Sequence, residues 1–194
     1  MAEHRRASMI GRLFQDPVKG TAPDMTIEEN LALAYNRKSK NGLRIGVHRK
    51  DVQIFREKIA QLNMGLENRM KTKVGLLSGG QRQALSLLMA TISTPRLLLL
   101  DEHTAALDPA SAEKIMLITK NIVSQESITT MMITHNIQSA LKTGSRTIML
   151  DRGKIILDIS GQERADMTVP RLMELFSQQS KNTLDNDRML FVNN

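Results

Sequence analysis

The chain has no cysteine and no tryptophan among its 194 residues. The first absence excludes a disulfide framework and a thiolate metal site, and it suits a reducing compartment. Aromatic residues make up only 3%, so stacking platforms for single-stranded nucleic acid are poorly supplied. No apolar run approaches the length of about 18 residues that a membrane-spanning helix needs. The opening MAEHRRAS has no apolar stretch behind its charges, and no secretory signal is read there. Acid is short too: 20 Asp and Glu face 27 Lys and Arg, a net charge of +7. That balance suits contact with phosphates, nucleic acid or an anionic membrane face. What is present is 41% apolar residues, enough for one domain with a sizeable core or a core plus a helical appendage.

Local patterns divide the chain. Residues 8–14, SMIGRLF, read as a short strand ending at Gln15, and QDPVKGTAPD reads as a loop. Thr26 with Glu29 three residues on forms a capping box that starts a helix. Residues 36–50 carry six Lys/Arg and no acid, as a solvated linker does; residues 51–63 and 78–94 read as helices. The continuous apolar run RLLLLD (96–101) and the segment SITTMMITH (127–135) predict strands buried on both faces of a parallel sheet. Between them, 109–125 predicts a helix with Pro109 in its first turn. A short helix over 136–143, a hairpin over 146–159 and a last helix over 168–178 follow, then a polar tail. The alternation from 96 to 150 argues for an α/β layer, interrupted by a mostly helical segment from 26 to 94.

Ligands of open parallel sheets sit beyond the carboxyl ends of the strands, where Asp101 and Glu102 fall. One carboxylate there can hold Mg²⁺, which favours oxygen ligands, while the other positions or deprotonates a water. The bland alternative is that a buried strand must end in something polar. His135 also ends a strand, where it could bond a terminal phosphate or simply sit in a loop. Gln15 could ligate Mg²⁺ through its carbonyl oxygen or be an ordinary loop residue. Asp108 precedes a helix as an N-cap aspartate does. Ser78 and Gln81 fit a capping box, but that leaves Gly79 and Gly80 unexplained, since each glycine weakens a helix by about 1 kcal/mol. Bare backbone at a helix N-terminus lets an anion reach the N–H groups, where the helix dipole also favours negative charge.

Taken together, these pieces resemble the ATP-binding subunit of ABC transporters along residues 8–178. Gln15 in FQDP resembles the Q-loop, LSGGQ (77–81) the family signature, and LLLLDE (97–102) Walker B with its catalytic glutamate. AALDP (105–109) resembles the D-loop and His135 in ITHN the switch histidine. PDMTIEENLALA and DEHTAALDP are similar to the importer branch, near bacterial amino-acid-type uptake systems. His103 replaces the proline usual after the catalytic glutamate. The resemblance implies ATP and Mg²⁺ as cofactors. It implies Glu102 and His135 as catalytic residues, Asp101 and Gln15 toward the metal, and Gln15, Ser78, Gly79, Gly80, Gln81 and Asp108 toward the nucleotide. It implies a second ATP-binding subunit paired head to tail, so that the signature of one completes the site of the other. It implies transmembrane permease subunits docked near residues 15–75, a substrate-binding protein indirectly, no nucleic acid, and a place on the cytoplasmic face of the plasma membrane.

One departure matters. The sequence contains no G-x-x-x-x-G-K-[ST] phosphate loop, and its only Gly-Lys pair, Gly153-Lys154, falls in the expected hairpin. In the family that loop precedes the Q-loop. The expected fold is therefore an incomplete P-loop NTPase core of the α/β class, a parallel sheet plus a helical subdomain, truncated at its N-terminus. Its expected segments are 1–25, a remnant of the N-terminal β-region with the Q-loop; 26–94, the helical subdomain and signature helix; 95–178, the α/β core; and the tail 179–194. Two other roles stay open: a non-catalytic partner lending its signature in trans, and a soluble ABC-type ATPase acting on nucleic acid or the ribosome.

Overall fold

Three short parallel strands, β1 (Ile10–Leu13), β2 (Leu97–Asp101) and β3 (Thr129–Ile133), lie in the order β1-β2-β3. The computed structural model describes residues 6–38 and 49–178, in two compact units divided between Ile133 and Thr134. The basic stretch 39–48 and the tail 179–194 lie outside the described residues.

In the first unit the register sets Gly11 beside Leu98 and Leu13 beside Leu100. Successive residues of a strand point to opposite faces, so these four share one side of the sheet. Leu13, Leu98 and Leu100 are buried there, in one cluster with Leu85, Leu87, Leu88, Ile115 and Ile118. The last five belong to α3 (Gly79–Thr91) and α4 (Pro109–Gln125). Gly11 is where helix and sheet come closest: a Cβ on it would sit 2.6 Å from the Ala90 carbonyl oxygen.

The opposite face corrects the expectation of two-sided burial. Met131 and Ile133 are 52% and 54% exposed, and β2 alternates buried with half-buried positions. The apolar run predicted a sheet covered twice, but the helices of this unit pack against the Leu98/Leu100 side. Arg12, Leu99 and Met131 form one row across the bare side, and Asp101 with Ile133 the next.

The helical segment of this unit is built from α1 (Ile27–Tyr35) and α2 (Arg49–Ala60). The expected capping box is formed: Thr26 Oγ1 accepts from the Glu29 amide at 3.3 Å, and Glu29 Oε2 accepts from the Thr26 amide at 2.7 Å. Buried Asn30 accepts from the Ala22 amide and donates to the Ala22 and Thr26 carbonyls, pinning the loop before α1. The Tyr35 and Phe55 rings meet edge to face at 5.5 Å, joining α1 to α2.

The second unit holds α5 (Ile137–Lys142), the antiparallel hairpin β4 (Arg146–Asp151) and β5 (Lys154–Ser160), α6 (Gly161–Ala165) and a helix α7 over 169–178. Arg152 and Gly153 turn the hairpin with φ of 45° and 78°, the signature of a two-residue turn with both central residues left-handed. The Gly-Lys pair is thus a hairpin corner, as its sequence context suggests. Arg164 donates to the carbonyls of Ala140, Leu141 and Thr143, closing the C-terminus of α5, where unpaired carbonyls favour a cation.

Candidate functional site

Adjacent parallel strands deliver their C-terminal ends side by side. β1 runs out through Phe14 into Gln15 and Asp16, and Asp16 Oδ1 accepts from the Val18 amide at 2.9 Å to start a tight turn over Pro17–Gly20. β2 ends at Asp101. Gln15 and Asp101 thereby line one cavity of about 510 Å³, with Arg12, Phe14, Asp16 and Lys19 also in its wall. Arg12 was not singled out in the sequence. Its Nη2 lies 3.5 Å from Asp101 Oδ2, and its guanidinium stands 4.6 Å over the Phe14 ring. Its only mark in the sequence is an arginine next to the last residue of β1; the strand register then sets it on the face that carries Asp101.

Glu102 is half-buried and adopts φ of 45°, a left-handed conformation that few non-glycine residues take. Its amide donates to the Ile133 carbonyl at 3.0 Å, and its own carbonyl accepts from Ala105. The chain therefore bends sharply right after the strand, turning Glu102 out of the sheet. His103, noted only as a departure from proline, anchors this bend. It is 2% exposed, with Nε2 3.2 Å from Thr119 Oγ1. The Thr119 hydroxyl proton is committed to the Ile115 carbonyl at 2.8 Å, so His103 Nε2 is the donor. Burial pushes the imidazole down to about 4, and the ring is neutral at physiological pH.

A second cluster forms where α3 and α4 begin. Ser78 caps α3, accepting from the Gln81 amide at 3.3 Å while Gln81 Oε1 accepts from the Ser78 amide at 3.2 Å. Gln81 Nε2 also donates to the Met64 carbonyl. Asp108 caps α4 through the Ser111 amide at 3.0 Å, and its bonds to Ser111 hold its carboxyl below the ordinary range. The two glycines differ. Gly79 is exposed, with only Leu107 Cδ2 at 3.6 Å from a notional Cβ; Gly80 is buried, its notional Cβ 3.1 Å from Ser111 Oγ. Gly80 thus lets α3 approach α4, a packing reason that the sequence did not reveal. Gly79 and the exposed Ser78 leave the helix opening accessible, in the first turn where N–H groups have no intrahelical acceptor.

His135 belongs to the second unit and is exposed, immediately before Asn136, which caps α5 through the Ser139 amide at 2.9 Å. Among the described residues no group of three or more His, Cys, Asp or Glu side chains converges as a metal cage. The oxygens of Asp101 and Gln15 still fit a hard cation that takes most of its ligands from water and phosphate, provided Arg12 releases Asp101.

The ABC transporter family profile matches residues 2–105. A tyrosine transport ATP-binding protein of Clostridioides difficile (strain R20291) is 42% identical over 91% of this chain and 70% of its own length. A phosphonates import ATP-binding protein, PhnC 2 of Halalkalibacterium halodurans, is 36% identical over 57% of this chain and 46% of its own length. Among solved structures, the ATP-binding cassette MJ0796, as a dimer in a post-hydrolysis state bound to ADP and Pi, aligns with a TM-score of 0.66. It is 27% identical, covering 81% of this chain and 65% of that one. The ADP conformation of the cassette MJ1267 aligns with the same TM-score at 22% identity, over 89% of this chain and 69% of that one.

Proposed function

Because the chain belongs to the ABC transporter family, we propose that it serves as an ATP-binding subunit of an importer, coupling ATP hydrolysis to uptake of a small solute. The relative at 42% identity supports an amino acid as the solute class, with tyrosine the first candidate. The observation that carries the reading is the cavity in which β1 and β2 bring Gln15 and Asp101 together, with Glu102 next in the chain. Asp101 and Gln15 would hold Mg²⁺, whose charge, when bound, neutralises the phosphates. Glu102 orients the attacking water and His135 bonds the terminal phosphate. Ser78, Gly79, Gly80 and Gln81, beside Asp108, present the start of α3 to a nucleotide held by a second, head-to-tail subunit. Permease subunits dock around residues 15–75, which places the protein on the cytoplasmic face of the membrane. No described helix is long and apolar enough to cross a membrane. The segments 1–25, 26–94 and 95–178 carry the Q-loop, the signature and the hydrolytic end respectively.

The sequence holds no G-x-x-x-x-G-K-[ST] phosphate loop, so these 194 residues on their own are expected to grip the β- and γ-phosphates weakly. About four charge-assisted hydrogen bonds at about 1.5–3 kcal/mol each amount to ~6 kcal/mol or more, about 10⁴-fold in affinity. Titrating Mg-ATP into the purified 194-residue chain is expected to give no micromolar isotherm. The exposed Ser78 and Gly79 favour a second reading, action in trans. Added to an intact subunit such as the tyrosine transport relative, the chain is expected to raise its ATPase rate, and Ser78→Arg to abolish the rise. An unchanged rate with either chain overturns the in-trans reading, and a stoichiometric micromolar isotherm overturns the expectation of a weak phosphate grip.

A further inference from the structure

Gln83 lies one turn and a half into α3 and is completely buried. A glutamine amide carries two N–H donors on one nitrogen. Here Nε2 donates to the Phe14 carbonyl at 3.3 Å and to the His103 carbonyl at 2.5 Å. Both neighbours are acceptors, so only the NH₂ end can face them, and the side chain has one orientation. Its Oε1 is buried with no partner among the described residues. The two donor bonds alone therefore hold the amide in place. Phe14 immediately precedes Gln15, and His103 immediately follows Glu102.

We propose that Gln83 is a positioning residue: one buried amide sets the spacing between the strand end that carries Gln15 and the bend that carries Glu102. The signature turn opens the same helix five residues earlier, about 7.5 Å along its axis at 1.5 Å per residue. A displacement at Ser78 thus reaches both loops through a single rigid turn and a half of helix. The role rests on the proposed function for its catalytic meaning, while the mechanical link stands on the hydrogen bonds themselves.

Gln83→Met keeps the length of the side chain and removes both donors. In the full 194-residue chain, hydrogen exchange read by mass spectrometry is expected to quicken about tenfold, the equivalent of about 1.4 kcal/mol of opening free energy, in both 14–20 and 102–107. Residues 85–91 of α3 and the β4–β5 hairpin are expected to keep their protection. Faster exchange in one loop only, in neither, or throughout α3 overturns the proposal, because the residue would then be supporting helix packing alone. A wild-type measurement covers a variant that does not fold. With selectively ¹⁵N-labelled glutamine, the two Gln83 side-chain protons are expected to exchange far more slowly than those of exposed Gln15, and equal rates overturn the link. In the mixed assay with an intact subunit, Gln83→Met is expected to lower the stimulated kcat without changing KM for ATP, and a change in KM alone speaks against positioning. If wild-type chain gives no stimulation, the in-trans reading fails while the exchange data still decide the role of Gln83.

Discussion

A neutral histidine under the bend that follows β2 has a thermodynamic consequence. His103 titrates near 4 in the folded chain against an ordinary value of 6.5, because it is buried. Between those values the unfolded chain binds more protons than the folded one, so stability rises with pH. The contribution is present above about pH 6.5 and is lost as pH falls toward 4, about 3 kcal/mol in all at 1.36 kcal/mol per unit. Urea melts at pH 7.5, 6, 5 and 4.5 are expected to show this loss, and His103→Leu to flatten it. The carboxylates of Glu29, Asp108 and Asp158 are held low by bonds to Thr26, Ser111 and Arg146 respectively. Their contributions disappear only below their ordinary values of 4.5 and 3.8, so the histidine window stands apart. At this scale the sequence disclosed residues by type and missed them by partner. Gln15, Asp101, Ser78 and Asp108 announce themselves through short spacings. Arg12 on Asp101, Gln83 on two carbonyls and His103 on Thr119 join positions 16 to 89 residues apart, which no local pattern encodes. Gln83 carries no local sign of its role, since α3 also holds Gln81 and Arg82 in its first turns.

Elements that close on themselves were the most legible. The capping boxes at Thr26 and Ser78 each span four residues, and both form as their sequence predicts. Pro109 begins α4 and the Arg152–Gly153 corner turns the hairpin for the same local reasons. The two-sided burial expected of β2 and β3 failed because burial depends on what covers a sheet, and an apolar run does not say on which side helices will land. The β1–α3 contact is equally non-local. Gly11→Ala would place a methyl 2.6 Å from a helix carbonyl, an atom of the main chain that no rotamer change can move aside. Destabilisation of about 1–3 kcal/mol is expected, read as a lower urea midpoint with an unchanged slope. The same substitution at Gly80 meets Ser111 Oγ at 3.1 Å and Ser111 Cβ at 3.2 Å, looser contacts than the one at Gly11, and is expected to cost less.

At the largest scale the first unit has a parallel sheet with one thinly covered side, where Leu99, Met131 and Ile133 lie beside Arg12 and Asp101. Such sheets are ordinarily covered on both faces, and Met131 and Ile133 sit at its surface beside a β3 edge that pairs with no strand among the described residues. An exposed apolar face next to an open edge favours association. The purified chain is expected to bind a hydrophobic dye such as ANS in its native state and to associate with rising concentration. The double substitution Met131→Thr with Ile133→Thr is expected to reduce both signals with little change in the melting midpoint. Unaltered dye binding would place the apolar surface elsewhere.

The edge-to-face pair of Tyr35 and Phe55 has a practical corollary. The chain contains one tyrosine and no tryptophan, so its intrinsic emission arises from a single ring packed between α1 and α2. Light from that ring reports the helical arm alone, whereas circular dichroism averages every helix and strand. Following both during denaturation reads out, without any label, whether the arm comes loose before the sheet or together with it.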